Sequence, residues 1–68
     1  MQLNVNGETT DIDDGASLAK LIERLDITNA SRGVAVAVNN AVVPREKWNE
    51  TKLQAGDSVE IIRAVQGG

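Results

Sequence analysis

The 68-residue sequence contains no cysteine and no histidine. These absences remove the strongest side-chain nucleophile, the commonest general base and the usual zinc ligands. They also leave the chain without a disulfide or a zinc site to support a small core. A domain of this size has little room for an active site of its own. We therefore expect a protein that is not an enzyme and that binds no metal or cofactor.

The sequence also lacks a long apolar run, a secretion signal and any block of basic residues. Its longest apolar stretch, residues 34–38, is far shorter than the roughly 20 residues that cross a bilayer. The opening MQLNVN has no basic start and no apolar stretch. Seven basic and ten acidic residues give a net charge of −3, which makes nucleic acid and membranes poor candidates as partners. These features predict a cytoplasmic protein.

The first element predicted is a β-hairpin. Apolar and polar residues alternate over residues 1–6, and Asn6-Gly7 then offers the two left-handed positions of a type I′ turn. A two-residue turn fixes which residues face each other across the strands. The predicted facing pairs are Val5 with Glu8, Leu3 with Thr10, and Met1 with Ile12.

A helix is predicted after Gly15, with Ser17 as its N-cap. Its apolar residues recur at the i, i+3, i+4, i+7 spacing of one helix face. They are Leu18, Leu21, Ile22 and Leu25. The aspartates before Gly15 do not match a calcium loop, because the glycine comes one position early and the closing acidic residue is missing. We interpret them as partners of the helix dipole.

The second half of the sequence predicts further strands rich in valine and isoleucine. They are residues 34–38, residues 42–43 and residues 58–65. Asn39-Asn40 marks a turn, and Pro44 stops the short strand and opens a helical turn. Trp48, the lone aromatic residue, is expected to fill the end of the core. The pattern predicts an α+β domain, a sheet of four to five strands with one helix packed on one face.

The last two residues, Gly67 and Gly68, follow the final strand and serve no turn. A frayed terminus is the ordinary explanation. Residues without Cβ atoms can, however, thread a narrow tunnel and present an unhindered carboxylate to a partner's nucleotide site. Transfer of AMP to that carboxylate makes an anhydride that a sulfur nucleophile can open. We therefore predict a domain over residues 1–65 and a flexible tail, Gln66 to Gly68, with the chemistry at Gly68.

Three segments carry a family resemblance: the opening QLNVNG, the stretch AVNNAVVPREKW over residues 37–48, and the ending LQAGDSVEIIRAVQGG over residues 53–68. They resemble the thiamine-biosynthesis sulfur carriers, the ThiS family of the ubiquitin-like β-grasp superfamily. The middle stretch discriminates best, because molybdopterin-synthase small subunits share the Gly-Gly end. Those proteins typically carry a phenylalanine- and proline-rich stretch before the glycines, which this sequence lacks.

The resemblance implies a mixed β-grasp sheet with the strand order 2-1-5-3-4. It also implies an activating enzyme that uses ATP and Mg²⁺ to adenylate Gly68, and a thiocarboxylate as the sulfur-loaded product. A sulfur donor such as a cysteine desulfurase relay and thiazole synthase as acceptor are the other implied partners. The protein itself would be a co-substrate of these enzymes.

A change of polarity in the final strand predicts a docking surface for the activating enzyme. The strand begins with polar residues on one face, but Ile62 and Ala64 on that same face are apolar. If the third strand is the neighbour, as the resemblance implies, Ala35 and Ala37 extend the patch. The alternative is that a loop buries Ile62.

Two other functions stay open at the level of sequence. The first is a ubiquitin-like docking module whose tail is incidental, and an extension beyond Gly68 would leave such a module active. The second is a sulfur carrier for molybdopterin, cysteine or tRNA thiolation. Growth of a carrier-deletion strain with and without thiamine separates that function from thiamine biosynthesis.

Overall fold

A computed structural model of the protein describes residues 1–25 and 34–63. Its strands are β1 (Gln2–Val5), β2 (Glu8–Asp11), β3 (Val34–Val38), β4 (Ala41–Val42) and β5 (Ser58–Arg63). The helix α1 spans Leu18–Arg24, and a 3₁₀ turn spans Arg45–Lys47. The predicted end of the last strand, residues 64–65, and the predicted tail, residues 66–68, lie outside the described residues.

The strands form one mixed sheet in the order β2-β1-β5-β3-β4. β1 and β5 are parallel, whereas the other neighbouring strands are antiparallel. The α+β prediction and the strand order implied by the resemblance are therefore confirmed. This order places β5, which leads toward the end of the chain, at the centre of the sheet.

The first hairpin has the predicted turn and the predicted register. Asn6 and Gly7 both adopt left-handed backbone conformations, with φ of 51° and 86°. Leu3 faces Thr10, and Val5 faces Glu8. The turn chemistry therefore fixes which side chains of β1 point toward the core.

Helix α1 begins where the sequence predicts, after the N-cap Ser17. The Ser17 hydroxyl accepts a hydrogen bond from the Lys20 N–H at 3.2 Å. The helix has only seven residues, so its stability depends on burying an apolar face. Leu18 and Leu21 are completely buried. Among residues 1–25 and 34–63, no helix is long and apolar enough to cross a membrane.

The core fills the space between α1 and one face of the sheet. Its buried members are Leu3, Val5, Ile12, Leu18, Leu21, Ile22, Val36, Trp48, Leu53 and Val59. Trp48 is 7% exposed, and its indole N–H donates to the Val43 carbonyl at 3.0 Å. The prediction that Trp48 fills the core is therefore confirmed.

The short strand β4 lies one residue earlier than predicted. It comprises Ala41–Val42, whereas the sequence pattern indicated residues 42–43. The Val43 N–H still donates to the Val36 carbonyl at 2.8 Å, but the Val43 carbonyl accepts the Trp48 indole. Because Pro44 follows directly, the chain leaves the sheet at this point.

Candidate functional site

The strand that leads to the tail is held differently by its two neighbours. β5 pairs with β3 from Val59 to Arg63. It pairs with β1 only at Ser58 and Val59. The half of β5 nearest the chain end therefore receives its strand pairing from β3. Gly68 is the fifth residue after Arg63, and five residues span at most about 17 Å when extended.

Ile62 and Ala35 lie together on the sheet face opposite α1. They face each other across β5 and β3. Both are exposed, and Ile62 remains 58% accessible. The alternative in which a loop buries Ile62 is therefore contradicted. Ala64, the third residue predicted for this surface, lies outside the described residues.

Ala37 lies on the same face but does not contribute as expected. It is only 8% exposed, so the expectation that it extends the exposed patch is wrong. Its register partners are Glu60 on β5 and Val42 on β4. A methyl side chain between two longer ones has little free surface, which accounts for the burial of Ala37 without a place in the core cluster.

Val42 takes the place that the sequence analysis gave to Ala37. It is 72% exposed and directly faces Ala37 across the β3–β4 pair. The sequence pattern predicts that Val42 lies in a strand but assigns it no role at the docking surface. The Asn39-Asn40 turn could have predicted this position of Val42, because a two-residue turn after Val38 places Ala37 opposite Val42. Residues that face each other across two paired strands lie on the same face of the sheet, so Val42 lies on the face of Ala37.

The apolar surface is limited to one half of this face. We call Ile62, Ala35 and Val42 the outer patch. On the other half, β1 and β2 expose Gln2, Asn4, Thr9 and Asp11. Glu60 is also exposed, between Ile62 and the polar start of β5. The outer patch thus comprises exposed apolar side chains on three neighbouring strands, β5, β3 and β4, with polar side chains beside them on the same face.

In a chain without cysteine or histidine, acidic side chains are the candidates for a metal site. Within the part of the chain that the structure describes, no three or more acidic side chains are grouped so that they could hold a metal ion. The aspartates before α1 include Asp14, whose carboxylate lies 3.1 Å from the amino group of Met1. Asp14 therefore contacts the start of β1 as well as preceding the helix.

Comparisons with known proteins agree with this fold, and the sequence match to the family includes the chain end. The family model described as "ThiS family" matches residues 3–68. The chain is 34% identical over 68 residues to the sulfur carrier protein ThiS of Escherichia coli, and the match covers 100% of both chains. A crystal structure of a thiamine biosynthesis protein (ThiS) from Geobacter metallireducens superposes with a TM-score of 0.84 and 31% identity, again covering 100% of both chains.

A larger protein contains a similar region. The chain is 34% identical over 68 residues to a thiazole synthase of Magnetococcus marinus. That match covers 100% of this chain but only 20% of the thiazole synthase. The similar region is therefore a small part of a longer polypeptide in that organism.

Proposed function

The chain belongs to the ThiS family, and from this membership we propose that it is a sulfur carrier of thiamine biosynthesis that carries sulfur on the C-terminal carboxylate of Gly68. The observation that carries the proposal is the family match over residues 3–68, which includes both the folded domain and the Gly-Gly end. The central position of β5 supports it, because the strand that leads toward the chain end is paired with β3 from Val59 to Arg63.

The proposed reaction begins at an activating enzyme that binds ATP and Mg²⁺. One Gly68 carboxylate oxygen attacks the α-phosphorus of ATP, so that an acyl adenylate forms and pyrophosphate leaves. A sulfur nucleophile at the oxidation level of hydrosulfide then attacks the acyl carbon. The new C–S bond forms while the C–O bond to AMP breaks, and the product is a thiocarboxylate. No side chain of the carrier takes part, so its task is positioning.

The proposed sulfur acceptor is thiazole synthase. Support comes from the thiazole synthase of Magnetococcus marinus, which contains a region similar to the whole of this chain. Joining a carrier-like region to a synthase raises the effective concentration of one at the other. A separate carrier needs instead a surface that docks. The sulfur donor acts before this step. If it is a cysteine desulfurase relay, a thiol reductant must supply the two electrons that release its persulfide sulfur as hydrosulfide.

The outer patch is the proposed docking surface for the activating enzyme. Ile62 and Ala35 are exposed side by side, and Val42 extends the apolar area toward β4. Ala64 would lie on the same face if β5 continues in register, because side chains alternate along a strand. A patch at this place lets the enzyme hold the sheet while the tail enters its nucleotide site.

Genetic complementation tests the proposed pathway. A bacterial strain that lacks its own ThiS-family carrier is supplied with this chain and grown without thiamine. We expect growth with the parent chain and no growth with a chain that ends at Gly67, at matched expression. Growth of the truncated variant would contradict the role of Gly68. Failure of the parent chain, with rescue by added thiamine only, would contradict the thiamine pathway.

A further inference from the structure

Two asparagines flank β5 and contact it in matching ways. Asn6 follows β1, Asn39 follows β3, and both have a φ of 51°. The Asn6 N–H donates to the Val59 carbonyl at 2.9 Å, and the Asn39 N–H donates to the Ser58 carbonyl at 2.7 Å. Each residue thus ends its own strand with a left-handed turn while still bonding to β5.

The side chain of Asn6 continues the hydrogen-bond ladder between β1 and β5. The Asn4 N–H donates to the Asp57 carbonyl, and the Asn6 N–H donates to the Val59 carbonyl, each at 2.9 Å. In a parallel ladder the Ile61 N–H would next bond to the Asn6 carbonyl. The left-handed turn redirects the Asn6 backbone at this point. The Ile61 N–H donates instead to Asn6 Oδ1 at 2.8 Å.

The same amide also reaches the other polar group of Ile61. Asn6 Nδ2 donates to the Ile61 carbonyl at 3.4 Å. One side-chain amide therefore engages both the N–H and the C=O of a β5 residue, the two groups that a continued β1 would pair through two of its residues. It does so two residues beyond Val59, where the pairing of β1 with β5 ends.

We propose that Asn6 is a positioning residue, whose side chain fixes the direction in which β5 delivers the tail to the activating enzyme. This inference rests on the proposed sulfur-carrier function. Gly68 is the seventh residue after Ile61, and seven residues span at most about 25 Å. A change in the direction of β5 at Ile61 would therefore displace the region that the carboxylate can reach. Effective reaction rates depend steeply on such displacements.

Asn39 provides a matched control. The Ser58 N–H donates to Asn39 Oδ1 at 3.0 Å, so the contact has the same chemistry as that of Asn6. It holds the opposite end of β5, where the strand begins. Asn39 Nδ2 also donates to Asp57 Oδ1 at 3.1 Å. Glycine accepts a left-handed φ, so Asn6→Gly and Asn39→Gly each remove two side-chain hydrogen bonds and retain the turn.

Amide hydrogen exchange tests the contact itself. We expect Asn6→Gly to accelerate exchange of the Ile61 amide about tenfold, because the amide loses its acceptor. Asn39→Gly should leave the Ile61 amide within about twofold of the parent and accelerate Ser58 instead. Equal exchange of Ile61 in both variants would overturn the inference.

Adenylation kinetics test the consequence for function, with pyrophosphate release as the readout. We expect Asn6→Gly to lower kcat about three- to tenfold with little change in KM, because the outer patch still docks. Asn39→Gly should stay within about twofold of the parent. Asn6→Asp, which retains an acceptor for Ile61, should restore most of the rate.

The outcomes separate the two levels of the proposal. If the parent chain is not adenylated, the sulfur-carrier function fails, and the exchange comparison still decides whether Asn6 holds β5. If the parent chain is adenylated and the two glycine variants have equal kcat values, the positioning role of Asn6 is overturned alone.

Discussion

At the scale of single residues, the proposed chemistry depends on two glycines that add no side chain to the chain end. In the proposed reaction, Gly67 lets the tail enter a narrow passage, because it has no side chain and its backbone is free to extend. Gly68 contributes the reacting carboxylate. Ile62 is 58% exposed and is proposed to contribute surface for docking. Substitutions at these three positions should therefore affect different measurements: the adenylation rate for Gly67, sulfur acquisition for Gly68 and binding affinity for Ile62.

Gly67→Val should slow adenylation without reducing stability. Valine widens the tail and restricts its extended path, yet it follows the last strand of the sheet. We expect adenylation to fall at least about tenfold, while the free energy of unfolding changes by about 0.5 kcal/mol or less. Pyrophosphate release and urea denaturation provide the two values. Equal adenylation rates for variant and parent would show that no narrow passage surrounds the tail.

Ile62→Glu should weaken binding to the activating enzyme. A charge in the outer patch loses apolar contact and must be desolvated on docking. We expect a loss of more than about 1.4 kcal/mol in binding, or tenfold in Kd, with an unfolding free energy within about 0.5 kcal/mol of the parent. Isothermal titration and urea denaturation measure the two quantities.

Thr9→Glu is the control for this substitution. Thr9 is exposed on the same sheet face but in its polar half, so an added charge there should leave Kd within about twofold. Equal weakening by both variants would attribute the effect to net charge. Unchanged affinity for Ile62→Glu would move the docking surface elsewhere.

At the scale of secondary-structure elements, local chemistry determined most of what could be predicted. Asn6-Gly7 set a hairpin register, and Ser17 set the start of α1. Burial was harder to predict, because it depends on neighbours across the sheet. Ala37 alternates correctly onto the outer face, yet flanking side chains leave it almost no surface. The hydrogen bond between the Asn6 side chain and β5 was likewise hard to predict, because its partner Ile61 lies 55 residues later in the sequence.

Ser17→Ala tests whether α1 acts only as support. Loss of the hydroxyl leaves the Lys20 N–H without its capping acceptor, which typically costs about 1 kcal/mol of stability. We expect that loss in urea denaturation and no change in adenylation below the denaturation range, since α1 and the outer patch lie on opposite faces of the sheet. A matching fall in adenylation of the folded variant would show that α1 contributes to docking.

At the scale of the whole molecule, the fold places β5, the strand that leads toward the chain end, at the centre of the sheet. The presence of one sheet and one helix followed from periodicity, but the strand order came from the family resemblance. Hydrophobic alternation identifies the face of a strand and not its neighbours. The proposed chemistry was harder still to predict, because the nucleotide site and the sulfur donor that it requires would belong to other proteins. Only the Gly-Gly end and the match over residues 3–68 connect this chain to them.

Intact-mass analysis tests the central claim most directly. The parent chain, a chain ending at Gly67 and a chain with one residue added after Gly68 are each incubated with the activating enzyme, ATP, Mg²⁺ and sulfide. We predict that the parent alone gains the mass of one oxygen exchanged for sulfur, because a change of one residue displaces the carboxylate by about 3.5 Å. Sulfur acquired by either altered chain, or none acquired by the parent, would contradict the account.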